Sequence, residues 1–245
     1  MRSNGKKAIV IGASSGIGEE LANILAREGY SVGLAARRLD CLLDLQKKIK
    51  MRSYVKRIDV TSVPEAVKNL ESLIKEMGKV DLIILNAGVY FNNSEFDWEK
   101  ENSTIQVNVV GFAAMAHVAM HYFLRQGEGH LVGISSVSAL RGESDSPSYG
   151  ASKAFVSNFL EALREKAFKE EKDVCVSDIQ PGWVDTEMAK GEKTFWMAST
   201  KMACEQIYST IKKKRTHAYI TNRWRLYAWL VKFAPRWFLR LIKIC

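Results

Sequence analysis

"KAIVIGASSGIG", Lys7 to Gly18, sets a short apolar run directly against three glycines. The run is apolar without polar alternation, which reads as a β-strand buried on both faces. Gly12, Gly16 and Gly18 allow a tight turn and a close approach of backbone to a ligand. "IGEELANILAREG" then follows at helical spacing and stops at Gly29. A strand that turns through glycines into a helix offers free N–H groups and a helix dipole to a pyrophosphate. The spacing is GxxxGxG, which differs from the GxGxxG dinucleotide fingerprint.

The same alternation continues along the chain. "SVGLAA" (Ser31–Ala36), "YVKRIDV" (Tyr54–Val60), "VDLIILNAG" (Val80–Gly88), "HLVGISS" (His130–Ser136), "VCVSDIQPG" (Val174–Gly182) and "HAYIT" (His217–Thr221) read as strands. Helical patterns separate them, including one from about Ser103 to Arg125 and one from Tyr149 to Glu171. The expected fold is α/β: a Rossmann-like, doubly wound, mostly parallel seven-stranded sheet with helices on both faces. One domain is expected over 1–222, with an appendage at 223–245.

The chain has 245 residues and is 47% hydrophobic, enough for a sizeable core. Cys41, Cys175, Cys204 and Cys245 lie far apart with no CxxC pair, as reduced thiols in a cytoplasmic protein would. The basic start precedes too short an apolar run for a secretory signal, and no stretch reads as an ordinary membrane span. The net charge of +9 is unevenly placed: ten of the 36 Lys and Arg follow Glu205, with no acidic residue among them. Residues 1–205 are left nearly neutral, with 26 basic against 27 acidic side chains, which speaks against a nucleic-acid-binding surface.

The second strand decides the cofactor. A carboxylate at its end would hold the ribose 2′-hydroxyl of NAD and repel a 2′-phosphate. This chain reads "AARR" there, and Arg37 and Arg38 offer donor forks that match phosphate oxygens. NADP(H) is therefore the expected cofactor. "SYGASKAF" sets Tyr149 and Lys153 on one helical face. An ammonium beside a phenol favours the phenolate, so Lys153 is expected to lower the Tyr149 pKa.

Together these stretches resemble the short-chain dehydrogenase/reductase family, from about Lys6 to Thr221. The motifs fall in the family's order: "GASSGIG", "NAG" (Asn86–Gly88), "NVVG" with Asn108, "ISS", "YGASK" and "PGWVDT" (Pro181–Thr186). The resemblance implies a carbonyl–alcohol oxidoreductase in which Tyr149 is the general acid/base. Lys153 would bind the nicotinamide ribose, Ser136 would hold the substrate oxygen, with Ser138 as its rival, and Asn108 would join a proton relay to Lys153. It also implies cofactor contacts from Gly12, Ser14, Ser15, Gly16, Ile17 and Gly18. Further contacts would come from Asp59, Val60, Asn86, Ala87, Gly88, Pro181, Gly182, Val184 and Thr186, and from Tyr149 and Lys153. Ile11 stands where the family usually has Thr, which removes a turn hydroxyl. A homodimer or homotetramer is implied, with Phe155, Phe159 and Ala162 as a candidate outer face. A non-catalytic NADP(H)-binding redox sensor or membrane-associated scaffold of the same fold is the alternative.

Other patterns are weaker. "HVAMH" sets His117 and His121 a turn apart without the Glu of a zinc protease, so no metal site is expected. "KKKR" (Lys212–Arg215) reads as a solvated helix end. "LRGESDSPS" and Trp183–Trp196 are expected to frame a pocket for a small-molecule carbonyl or alcohol, hydrophobic or lipid-linked. The end, "WRLYAWLVKFAPRWFLRLIKIC" (Trp224–Cys245), reads as an amphipathic helix broken at Pro235, with Arg225, Lys232, Arg236, Arg240 and Lys243 on one stripe. Peripheral membrane contact through 223–245 competes there with packing beside the active-site mouth or on a partner subunit.

Overall fold

The computed structural model describes residues 5–189, 196–235 and 237. Its elements run β1 (Lys7–Ile11), α1 (Gly16–Arg27), β2 (Ser31–Ala36), α2 (Leu39–Lys48), β3 (Ser53–Arg57), α3 (Val63–Met77) and β4 (Leu82–Leu85). They continue α4 (Trp98–Ile105), α5 (Phe112–Gln126), β5 (Glu128–Ile134), α6 (Pro147–Lys169), β6 (Asp173–Pro181) and β7 (Val184–Asp185). The last are β8 (Ala198–Ser199), α7 (Thr200–Lys212), β9 (His217–Ile220) and α8 (Trp224–Phe233). Seven strands form one sheet in the order β3-β2-β1-β4-β5-β6-β9, every pairing parallel. This is the doubly wound α/β architecture expected from the sequence. The order reverses between β1 and β4, and in such sheets ligands settle beyond the strand C-termini at that point.

Two apolar layers sandwich the sheet. Leu21, Leu25, Leu42 and Ile207 fill one side beneath α1, α2 and α7; Leu70, Leu73, Phe123 and Leu160 fill the other beneath α3, α5 and α6. Each such side chain contributes roughly 1.5–3 kcal/mol by leaving water. On α6, Phe155 and Phe159 stack at 5.3 Å and pack partly on this second layer, whereas Ala162 is exposed.

Several boundaries differ from the sequence reading. The first strand, expected over Lys7–Ala13, stops at Ile11 because Gly12 turns the chain at φ 92°. The long helix begins at Trp98, where Asp97 caps it by accepting from the Glu99 N–H at 2.9 Å. Its middle, Gln106–Gly111, is wound as a π-helix. By length and composition Trp98–Gln126 could cross a membrane, contrary to the reading that no stretch could. Yet Met115, Ala119 and Phe123 are buried against the sheet, so it is a core helix. α7, expected from Thr194, starts at Thr200 because Ala198 and Ser199 pair with β7 in a small parallel ribbon that has no periodic signature. His117 and His121 stack their rings on the exposed side of α5.

One buried polar pair makes stability depend on pH. Ser177 Oγ gives its only proton to Arg215 O at 2.6 Å, so His130 Nε2, 2.7 Å away, is the protonated nitrogen. Burial first, then the Lys214 charge, push His130 down to about 4. The unfolded chain binds this proton from about pH 6.5 downward and the native chain does not, so stability falls as pH drops through that window. The expected loss between neutrality and the native pKa is roughly 3 kcal/mol. Urea titrations against a His130→Gln variant would read it as a narrowing gap on acidification; a gap independent of pH would refute it.

Candidate active site

The glycine turn at the C-terminal end of β1 is held without the hydroxyl that Ile11 lacks. Gly12 and Ala13 donate backbone N–H groups to Ala35 O at 2.7 and 3.1 Å, while Ile11 is buried in the core. Asn86 Nδ2 donates to Gly12 O at 3.0 Å, tying the end of β4 to the turn. A Cβ on Gly12 would lie 2.6 Å from Ala87 N, and one on Gly18 would lie 2.0 Å from Gly12 O. α1 thus starts tight under the turn, with Ser15 as its N-cap residue and no side chain closing the helix end. Free N–H groups and the helix dipole face a cavity of about 300 Å³.

That cavity brings together the expected nucleotide residues from four strand ends: Ser14 and Gly16, Arg37 and Arg38, Asp59 and Val60, Ala87 and Gly88. Arg38 bridges its rim, Nη2 donating to Ser14 Oγ at 3.0 Å and to Ser15 Oγ at 2.6 Å. Burial pushes the Asp59 carboxyl up, but hydrogen bonds from Thr61 and the Arg37 and Arg57 charges hold it below its usual value. The cradle and the open helix end fit the pyrophosphate of a dinucleotide.

A second cavity of about 160 Å³ shares Ile17, Asn86, Gly88, Thr186 and Met188 with the first, so the two are continuous. Ser136, Tyr149 and Lys153 line it, with Pro181, Gly182 and Val184. α6 carries Tyr149 and Lys153 on one face; Ser136 caps the 3-10 turn Val137–Leu140, its Oγ accepting from the Ser138 N–H at 3.1 Å. Ser136 and its rival Ser138 both line this cavity, and of the two only Ser136 is among the groups that act on the Tyr149 phenol, pulling its pKa down. The π-wound segment bulges Asn108 inward, where Nδ2 donates to Val89 O at 2.9 Å and to Ser152 Oγ at 3.1 Å. Gly88 lies between Asn108 Oδ1 and Lys153 Nζ: a Cβ there would sit 3.3 and 3.4 Å from them.

One electrostatic expectation is corrected. Burial drives the Tyr149 phenol up to about 12, against the lowering pull of Ser136. Burial likewise drives Lys153 down to about 8, partly offset by the Asp178 carboxylate. The ammonium donates to Ile134 O at 3.1 Å and stands 5.6 Å from the phenol ring centroid. Low-dielectric surroundings oppose both charges, and burial is the largest cause of each shift.

Some contributors were not foreseen. Tyr90 sets its ring edge-on to Tyr149 at 5.0 Å and to Trp183 at 6.3 Å. Asp178 is buried behind Lys153, accepting from Ser135 Oγ and from Gln180 Nε2. Neither belongs to a motif, and only the strand register brings them in. Trp224 and Tyr227 of the C-terminal helix close the cavity, as the packing reading of the tail anticipated. Residues 190–195 of the anticipated framing segment, and Arg236, Arg240 and Lys243 of the basic stripe, lie outside the described residues.

Residues 6–196 match the short chain dehydrogenase family model. An uncharacterized oxidoreductase of Myxococcus xanthus is 37% identical over 188 residues, 75% of this chain and 74% of that one. The fold matches a short chain dehydrogenase of Burkholderia cenocepacia in complex with NADP (TM-score 0.84, 23% identity, 98% of each chain). It also matches a short chain dehydrogenase/reductase of Burkholderia phymatum in complex with NAD (TM-score 0.84, 21% identity, 99% of this chain and 96% of that one). The chain belongs to the short-chain dehydrogenase/reductase family and is an oxidoreductase of that family.

Proposed function

We propose that this protein interconverts a carbonyl and a secondary alcohol with NADP(H). The observation that carries this is the convergence of Ser136, Tyr149 and Lys153 on a cavity continuous with the glycine cradle. Bound NADPH supplies the hydride. Tyr149, protonated at neutral pH, donates its phenolic proton to the carbonyl oxygen during reduction and takes it back during oxidation. Ser136 donates a hydrogen bond to the same oxygen and fixes its position. Lys153 holds the nicotinamide ribose, and its ammonium favours the phenolate formed in each reductive turnover. Asn108 anchors the β4 end beside Lys153 through Val89 and completes the proton path to solvent through water.

Arg37 and Arg38 support NADP(H) over NAD(H), since no carboxylate stands at the end of β2 to hold an unphosphorylated ribose. An Arg37→Ala/Arg38→Ala variant is expected to bind NADPH about 10–100-fold more weakly, the loss of one or two charge-assisted phosphate contacts. NADH binding should change little, and fluorescence titration of both nucleotides reads the difference; equal losses for the two would refute the assignment. The walls formed by Tyr90, Trp183, Trp224 and Tyr227 favour a largely apolar substrate. A panel of ketones and aldehydes with NADPH tests the activity, and no turnover across it would leave a nucleotide-binding sensor. We place the protein in the cytoplasm as a homodimer or homotetramer paired through the outer faces of α5 and α6. Sedimentation velocity tests the assembly, and a monomer would refute it.

A further inference from the structure

We propose that α8 docks this protein on anionic bilayer surfaces and that its substrate is an amphiphilic carbonyl compound drawn from the lipid. The substrate half rests on reading the second cavity as the catalytic one.

α8 has two apolar faces, which a helix packed only on its own domain does not need. Trp224, Ala228 and Val231 are buried, and Trp224 and Tyr227 form cavity wall. The helix is pinned to the body at two points. Arg141 Nε donates to Val231 O at 3.0 Å, and Arg223 Nη2 donates to Trp196 O at 2.6 Å. On the opposite side Leu226, Trp229 and Phe233 are 72%, 66% and 72% exposed, at helical spacing along one ridge. Trp237 just beyond is exposed as well. On the inner side of the helix Trp196, itself part exposed, packs edge-on against Trp224 at 5.7 Å, and the half-exposed Met188 lines the cavity that Trp224 and Tyr227 wall. Contiguous exposed apolar surface of this kind marks an interaction site.

Charge selects the occupant. Arg225 and Lys232 flank the ridge, and no Asp or Glu occurs from Gln206 to the end of the chain. Pairing this face with its own copy about a twofold axis would bring cation against cation. An anionic lipid surface neutralises the same charges, takes Trp at headgroup depth and accepts the Leu and Phe below it. α8 has 10 residues, about 15 Å of helix, so it lies in the interface and does not cross. The cavity mouth beside it then opens toward the lipid.

The test uses the full chain and its Trp229→Gln/Phe233→Gln variant. Both are sedimented with phosphatidylcholine vesicles, with and without phosphatidylglycerol. The unaltered chain should bind the phosphatidylglycerol vesicles, and more weakly at high salt; the variant should bind at least roughly tenfold more weakly. The variant should keep its turnover of a water-soluble ketone yet lose turnover of a long-chain ketone carried in the vesicles. Equal binding by the two proteins, or no binding to either vesicle, overturns the docking. So does a variant that falls from oligomer to monomer while vesicle binding by the unaltered chain is absent, since the ridge would then be a subunit interface. Vesicle binding with no turnover of any carbonyl supports docking and overturns the enzymatic reading alone.

Discussion

A Tyr149→Phe variant is expected to lose about 10²–10⁴-fold in turnover with NADPH, the range supplied by a positioned general acid. The change removes one oxygen from a side chain that α6, Tyr90 and the cavity wall already hold in place. The smaller phenyl ring leaves the packing against Tyr90 in place, so the protein should stay folded. NADPH binding should change far less than turnover, because the glycine cradle and the arginine pair lie elsewhere. Steady-state kinetics beside a nucleotide titration separates these effects. Retained turnover would remove Tyr149 from the chemistry. The pH dependence should follow direction. Reduction uses the protonated phenol, which burial preserves well above neutrality, while oxidation needs the phenolate and should speed up as pH rises. Lys153, brought down to about 8, keeps its charge at neutral pH and loses it just above, so reduction should decline there. A Lys153→Met variant should lack that decline.

Much of this site was legible because its determinants are local. The glycine spacing, the i, i+4 relation of Tyr149 and Lys153 and the strand–helix alternation are written in neighbouring residues. The parallel order of the sheet follows from that alternation with few other choices. The pKa directions were not legible, because burial is a property of the assembled cavity. Viewed alone, Lys153 near a phenol means a lowered pKa; enclosed by Ile134, Asp178 and the sheet end, it means two opposed charges kept apart. Tyr90 and Asp178 reach the site only through register. The β7–β8 ribbon has two residues per strand and no pattern to read. The tail was half legible: its amphipathic pattern was plain, but only the fold sets Trp224 inward and Trp229 outward. A Cβ on Gly182 would lie 1.9 Å from the Trp224 ring, so this contact also explains a glycine that the motif alone did not.

A Gly18→Ala variant is expected to damage nucleotide binding and stability together, from the addition of one methyl group. Its Cβ would lie 2.0 Å from Gly12 O and 2.6 Å from Asn86 Nδ2, the two atoms whose hydrogen bond joins β1 to β4. Neither can yield cheaply. Gly12 is held by its N–H to Ala35 O, and its φ of 92° leaves the turn few other conformations. The strain must therefore lift α1 off the turn, costing about 1–3 kcal/mol, as overpacking usually does. Moving the helix end by about 1 Å takes its N–H groups out of reach of the pyrophosphate, and such a displacement costs on the order of 10²-fold. Gly142→Ala is the matched control, since nothing lies within 4 Å of its added methyl group. It should stay within about 0.5 kcal/mol of the parent, as surface substitutions do. Urea denaturation and NADPH fluorescence titration on both variants give the comparison. If Gly18→Ala bound NADPH as the parent does, the close approach of α1 to the turn would be a packing detail, and the pyrophosphate would have to lie elsewhere.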